Sequence, residues 1–298
     1  MDDHPCDPAT ASFVGHRNLL FTVAYEMLGS AADAEDVLQE AWLRWVKVDL
    51  EQVRDERAFL VRITTRLALD RLRVLKRRKE AYVGPWLPEP LLTAPDVAED
   101  LELADNVSMA IMLVLETLSP TERAVFVLRE AFGFGYDEIA AAVEKNPAAV
   151  RQIAHRARGH VEARRPRQPV SPVEAQAVVE SFRRALQTGD VQSLLDILAP
   201  DVVLLADGGG RKRAARRPVV GAETVTRYVS RVLTRRGVAL TADPTVINGS
   251  PALLLSLDGM IDGVLGMRVE KGRISGIYYV RNPEKLTRIT TETPLIRQ

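Results

Sequence analysis

The chain has 298 residues, 46% of them hydrophobic and 27% charged, and its 40 basic and 40 acidic side chains cancel to a formal charge of zero. Such a length implies about two domains, or three small ones, and the composition is that of a soluble chain with a sizeable core. It excludes a membrane-spanning helix, since no apolar run reaches ~18 residues, a disulfide framework, since Cys6 is the lone cysteine, and nucleic-acid binding through global charge, which leaves only local asymmetry for that purpose.

The start, MDDHPCDPATAS, is acidic and turn-rich, unlike a signal peptide, and a single thiol suits a reducing cytoplasm. His4 and Cys6 supply too few ligands for a metal, and neither a metal nor a cofactor site is read anywhere in the chain. From Phe13 to Trp45 the period is helical. Leu19, Leu20, Val23, Ala24 and Met27 form one stripe ended by Gly29-Ser30, and Val37, Leu38, Ala41, Trp42 and Trp45 form a second. The second helix leaves Asp33, Glu35, Asp36, Gln39 and Glu40 on an outer face that physics alone reads as solvated. The next helix is its electrostatic opposite. Arg62, Arg66, Arg71, Arg73, Lys76 and Arg77 gather opposite Phe59, Leu60, Ile63, Leu67 and Leu72, an electrostatic footprint for phosphate backbone.

Residues 81–105 read as a linker stiffened by Pro85, Pro88, Pro90 and Pro95 and rich in acids. Its Trp86-Leu87-Pro88-Glu89-Pro90 run is too apolar for a spacer, and Trp86 marks a docking point. Then TLSPTERAVFVLRE opens with Ser119 as N-cap, Pro120 at the first helical position and Glu122 at the capping-box position. A helix bearing Ile139, Ala140 and Val143 follows, Glu144-Lys145 turn the chain, and Asn146-Pro147 restart it. In the last helix Val150, Ala154, Ala157 and Val161 point inward and Arg151, Gln152, His155, Arg156 and Arg158 outward. That is the helix-turn-helix arrangement that major-groove reading requires.

A proline-rich hinge, 166–172, leads into a third region. Two helices broken at Gly189-Asp190 precede strand-like runs at 202–206, 238–242, 252–257, 263–269 and 274–280, with a helix over 223–233 among them, an α+β order with a curved sheet. Asp207-Gly208-Gly209-Gly210-Arg211 follows the first strand. Triple glycine suits a phosphate cradle, but the strand-to-helix context of a phosphate loop is missing, which favours a flexible loop.

The pieces LSPTERAVFVLRE, YDEIAAAV and NPAAVRQIAHRAR resemble region 4 of the extracytoplasmic-function (ECF) sigma factors of bacterial RNA polymerase, DAEDVLQEAWLR resembles their region 2.2, and FLVRITTRLALDRLR their regions 2.3 and 2.4. WLPEP, DGGGR and Asn282-Pro283-Glu284-Lys285-Leu286 resemble the signatures of the ECF41 group, whose members carry a fused SnoaL-like domain of the NTF2-like fold. Arg211 stands for the usual Lys, Glu284 for Asp, and Arg66 for a common Asn. The resemblance implies two all-α sigma-type DNA-binding domains followed by an α+β cone: region 2 over 1–80, the linker over 81–105, region 4 over 106–165, the hinge over 166–172 and a regulatory domain over 173–298. It implies that Asp33, Asp36, Gln39 and Glu40 dock on the clamp helices of core polymerase, whose flap is the further contact. It also implies −10 binding through the basic helix, −35 binding through the helix-turn-helix, and a regulatory role for the three ECF41-like motifs.

Promoter-specific initiation needs no catalytic residue. The competing readings are a SnoaL-like cyclase or isomerase and a metabolite-binding one-component regulator. All four histidines precede the third domain, which leaves an enzyme only Asp207, Asp258, Asp262 and Tyr278. A one-component regulator would not need the clamp-like acidic helix. The third domain is expected to set the spacing of the two DNA-binding modules by gripping the linker, with Arg211 pairing with Glu89, and a small ligand in it remains open.

Overall fold

The computed structural model describes residues 7–93, 101–164, 170–233 and 239–296, so that His4, Cys6, Pro95, Asp96, Glu99, Asp100 and Pro166 lie outside the described residues. The chain divides into two compact units. One comprises the residues up to Arg78, Val114–Arg164 and the end from Pro294; the other comprises Lys79–Leu113 and Arg165–Thr293.

In the first unit, α1 (Pro8–Leu28) ends on Gly29, which takes the left-handed conformation (φ 69°) that glycine adopts without penalty. The stripe expected here is a fully enclosed half-helix, since every side chain from Leu19 to Leu28 is buried. Helix α2 (Ala31–Trp45) is capped by the Ser30 hydroxyl, which accepts from the Asp33 N–H at 3.2 Å. Trp45 is fully buried, and its indole N–H donates to the Ala9 carbonyl at 2.8 Å. The basic helix is α3 (Glu56–Glu80), buried along Leu60, Leu67, Ala68, Leu72 and Leu75.

The capping box expected at Ser119 and Glu122 is formed at the start of α6 (Pro120–Phe126). The helix continues through a π-turn over Val127–Ala131. Helix α7 (Tyr136–Val143) closes on Glu144 in the left-handed region, and α8 (Pro147–Glu162) opens on Asn146, which accepts from the Ala149 N–H at 2.8 Å. Val150, Ile153, Ala154, Ala157 and Val161 form its buried face. Arg123 is buried and fixes α6 to α1 within this unit: Nε and Nη2 donate to the Glu26 carbonyl at 3.0 and 2.8 Å, and Nη1 pairs with Glu116.

In the second unit, α9 (Pro172–Thr188) and α10 (Val191–Ile197) flank the break expected at Gly189-Asp190, where Asp190 caps α10. The sheet comprises β1 (Leu198–Asp207), β2 (Val219–Val220), β3 (Leu240–Ile247), β4 (Ser250–Leu257), β5 (Met260–Glu270) and β6 (Arg273–Val280). Their order is β2-β1-β6-β5-β4-β3, antiparallel except between β1 and β6. The hairpin turns Asn248-Gly249, Asp258-Gly259 and Lys271-Gly272 have positive φ at both residues, the combination that two-residue hairpins favour. One sheet face, with Leu204, Leu253, Leu265 and Ile277, packs against Phe182, Leu194 and Val225, the last from α11 (Ala222–Leu233).

The stretch 81–105 is more than a spacer. Residues 86–93 lie extended on the opposite sheet face, where Leu87 packs with Met109, Tyr278 and Val280 and Leu92 packs with Ile247 and Ala252. Side chains alternate across the sheet, so Ile277 and Tyr279 face the helices while Tyr278 and Val280 face this strap. Two short helices follow: α4 (Leu101–Val107), where acids and prolines suggested an open chain, and α5 (Met109–Leu115), inside the stretch expected as region 4. They form because Leu103, Val107, Met109 and Met112 bury an apolar face that the acidic composition conceals.

Candidate functional site

On α8, Arg151, Gln152, His155 and Arg156 are exposed side by side. Arg151 lies over the Tyr136 ring at 5.6 Å, a ring it shares with Arg129 at 4.7 Å. Arg158 is drawn out of this group: Nη2 donates to Glu130 at 2.6 Å, a bond that raises the basicity of the guanidinium. On α3, Lys76 and Arg77 are exposed without an ion pair among the described residues. Arg73 is exposed beside Asp70 at 2.7 Å, and Arg62 stacks on Phe59 at 4.7 Å.

Two α3 arginines are committed elsewhere within this unit. Arg66 donates to the Ala141 carbonyl at 2.9 Å and lies 3.4 Å from Glu144, both of the helix-turn-helix. Arg71 donates from Nε to Asp33 at 2.6 Å and reaches Asp36 at 3.2 Å. The acidic face of α2 and the basic face of α3, read in the sequence as separate surfaces, thus meet at Arg71. Asp36, Gln39 and Glu40 remain exposed, Glu40 beside Arg44 at 2.6 Å, while Asp33 is half-buried.

In the second unit the three motifs converge on one carboxylate. Asp207 is fully buried and accepts four hydrogen bonds. Oδ1 takes the Tyr82 hydroxyl at 2.7 Å and the Gly209 N–H at 3.0 Å, and Oδ2 takes the Leu87 N–H at 2.9 Å and Lys285 Nζ at 2.7 Å. Lys285 also donates to the Leu87 carbonyl. Asn282 donates from Nδ2 to the Tyr82 oxygen at 3.0 Å and caps the short turn Pro283–Lys285 through the Glu284 N–H. Burial and the Asp207 carboxylate push the Tyr82 phenol well above its ordinary range. Gly209 admits no side chain, because a Cβ would lie 2.4 Å from Asn282.

Trp86 is half-buried between two ammonium groups, Lys79 at 3.3 Å and Lys285 at 4.1 Å from its ring centroid. Pro88, Glu89 and Pro90 are buried. Arg211 does not pair with Glu89 as expected; it meets Glu284 at 2.8 Å, with both side chains about two-thirds exposed. Glu89 lies inside the strap whereas the outer part of the glycine loop, Gly210 and Arg211, is exposed, so the grip falls to Asp207 at the strand end and not to Arg211.

Sequence reasoning missed the second clasp. Asn248 is buried; its Oδ1 accepts the Leu91 N–H at 3.0 Å, its Nδ2 donates to the Val107 carbonyl at 2.9 Å, and its own N–H donates to the Leu91 carbonyl at 2.9 Å. Its signal is the Asn248-Gly249 pair between two strands, a turn signature that conceals a second use of the amide. A Cβ on Gly249 would lie 2.6 Å from Ala104 of α4.

The four candidate catalytic groups are dispersed among different tasks. Asp207 holds the strap, Asp258 accepts the Ala239 N–H at 3.0 Å beside a hairpin turn, and Tyr278 lies in the apolar layer under Leu87. Asp262 is buried against Arg281 at 2.7 Å, Lys212 at 3.3 Å and the Tyr279 hydroxyl. Burial alone would raise the Asp262 carboxyl, but Arg281 and Tyr279 hold it below its ordinary range.

The family profile of sigma-70 region 2 matches residues 13–78, and that of sigma-70 region 4 matches residues 108–161. The chain is similar to the ECF RNA polymerase sigma factor SigJ of Mycobacterium tuberculosis, 35% identical over 290 residues that cover 93% of each chain. It is also similar to the probable ECF RNA polymerase sigma factor SigI of that organism, 33% identical over 295 residues covering 98% of this chain and 99% of the relative. The crystal structure of Mycobacterium tuberculosis SigJ superposes with a TM-score of 0.74 at 32% identity, covering 96% of this chain and 99% of that one. No helix among the described residues is long and apolar enough to cross a membrane.

Proposed function

The chain belongs to the ECF sigma factors of bacterial RNA polymerase, and on that premise we propose how its parts divide the work of binding core enzyme and directing transcription from chosen promoters. Initiation of this kind is non-enzymatic. Arg151, Gln152, His155 and Arg156 read the −35 element, and Arg62, Arg73, Lys76 and Arg77 hold the phosphates of the −10 element. Asp36, Gln39 and Glu40 meet the clamp helices, and region 4 meets the flap. The functional boundaries are region 2 over 1–80 and region 4 over 106–165, with a regulatory domain over 173–298 that owns the strap of the 81–105 stretch. The site of action is the cytoplasm, where core polymerase is.

The observation that carries this reading is the exposed amide-and-arginine face at the start of a capped second helix. Arg66, held by Ala141 and Glu144 of the helix-turn-helix in the free chain, becomes available to DNA only when the two helical regions part, whereas Arg158 is held by Glu130 within region 4 itself. The third domain controls that parting through the strap, and its input is a small ligand beside the Asp207 latch. Promoter-specific run-off transcription tests the assignment. Arg151→Ala is expected to cost about 1–3 kcal/mol and to relax selectivity at one −35 position. Equal weakening on every promoter would make Arg151 a phosphate contact and overturn its role in reading bases.

A further inference from the structure

Between Val83-Gly84, which lead into the strap, and the glycine loop lies a cavity of about 460 Å³ lined also by Ala206, Gly208 and the run from Gly210 to Arg216. Four cations stand in that lining, Arg211, Lys212, Arg213 and Arg216, and no acidic residue does. Glu284 answers Arg211, and Asp262 is shared by Lys212 and Arg281. Arg281 adjoins the same wall, donating to the Arg213 carbonyl. Five cations thus face two carboxylates. The side chains of Arg213 and Arg216 are exposed and make no hydrogen bond or ion pair among the described residues.

Resting on the reading that the third domain responds to a small ligand, we infer that this cavity binds an organic diphosphate. A phosphate ester carries about −1.5 to −2 charges at pH 7, so two such groups match the local excess of three positive charges. Guanidinium forks bind phosphate oxygens in pairs, which a lone ammonium does not. The volume exceeds what two phosphates need and lies in the range of small-molecule sites, roughly 300–1,000 Å³. Val83, Ala206, Ala214 and Ala215 give the organic part an apolar wall. Val83 and Gly84 on one side and the loop on the other make the site concave, which favours a discrete molecule over the backbone of a duplex. The occupant would touch Val83 and Gly84, which lead into the strap, and residues 208–216 of the loop at once, so its binding holds the strap closed.

The test is calorimetric titration of the full chain, at fixed ionic strength, with inorganic pyrophosphate, with ADP and with a short duplex DNA of unrelated sequence. The variants are Arg213→Ala, Arg216→Ala and the double variant. Since neither side chain has a partner among the described residues, the melting temperature should be unchanged, which separates lost binding from lost structure. Saturable binding of pyrophosphate and tighter binding of ADP are expected, each weakened by roughly tenfold or more per arginine. ADP should also slow hydrogen exchange at the Leu87 amide. Absence of saturable binding, affinity indifferent to both arginines, or binding of the duplex alone would overturn the proposal. ADP binding without any change in run-off transcription would uphold the site and refute the regulatory reading on which it rests.

Discussion

Replacing Asp207 by asparagine is the sharpest perturbation of the strap, because it keeps the shape and removes the charge. The carboxylate accepts two donors on each oxygen: Tyr82 and Gly209 on one, Leu87 and Lys285 on the other. An amide retains one accepting oxygen, and its NH₂ must face one of those pairs. If it faces Tyr82 and Gly209, the phenol can turn and accept, but the Gly209 N–H loses its acceptor. If it faces Leu87 and Lys285, a backbone N–H and an ammonium are both opposed. Either way Lys285, whose side chain is 12% exposed, loses its counter-charge. Breaking a buried pair costs about 3–5 kcal/mol, and since Lys285 keeps the Leu87 carbonyl we take the lower end, about 3 kcal/mol. At one decade per 1.4 kcal/mol this is roughly a 150-fold increase in strap opening. Hydrogen exchange at the Leu87 amide reads that opening directly, with amides of the central strand β5 as the internal reference. The Leu87 amide should exchange roughly 150 times faster while the β5 amides stay protected. An acceleration below tenfold at Leu87 would refute the claim that Asp207 holds the strap.

Three further outcomes follow from the same geometry. Arg211→Ala should change Leu87 exchange little, since its pair with Glu284 is mostly exposed and such pairs contribute about 0–1 kcal/mol; an effect as large as that of Asp207→Asn would restore Arg211 as the grip. Ser119→Ala should destabilise the first unit by about 1 kcal/mol in denaturant titrations, because it removes the cap of α6 and the hydroxyl that holds Glu122 below its ordinary value. Asp262 is held below the ordinary carboxylate value of 3.8, so its contribution is present above that pH and is lost as pH falls through the lower folded value. Asp262→Asn should therefore lower stability at neutral pH and flatten its decline below about pH 4, as followed by denaturant midpoints.

What was legible in the sequence was chiefly what is local. Ser119, Glu122, Asn146 and Pro147 act on residues within one turn, and the structure places each where propensity says. The apolar character of Trp86 and Leu87 was enough to argue that the strap docks. Its partner was misjudged because pairing depends on register between strands far apart in sequence. The parallel ladder that sets Asp207 opposite Val280 brings the glycine loop level with Asn282 and Lys285, and no periodicity within either strand encodes that offset. The same limit hid the pairs Arg71–Asp33 and Arg158–Glu130, whose members read as independent surface charges. Helix α4 escaped notice because it packs on a sheet that begins about a hundred residues later.

The strap does more than occupy a sheet face. Strand β3 is the last of the sheet, and Leu91–Thr93 run beside its end: the Thr93 N–H donates to the Val246 carbonyl at 3.1 Å, and Leu92 bridges to Ile247. A sheet border with open amides is a template for any other extended chain, including a second copy of itself. Whenever the strap lets go, that border is bared together with the apolar bed of Leu87 and Leu92. The freed form therefore carries an adhesive margin that the closed form conceals until the strap returns. Self-association is thus built in as the competitor of strap closure.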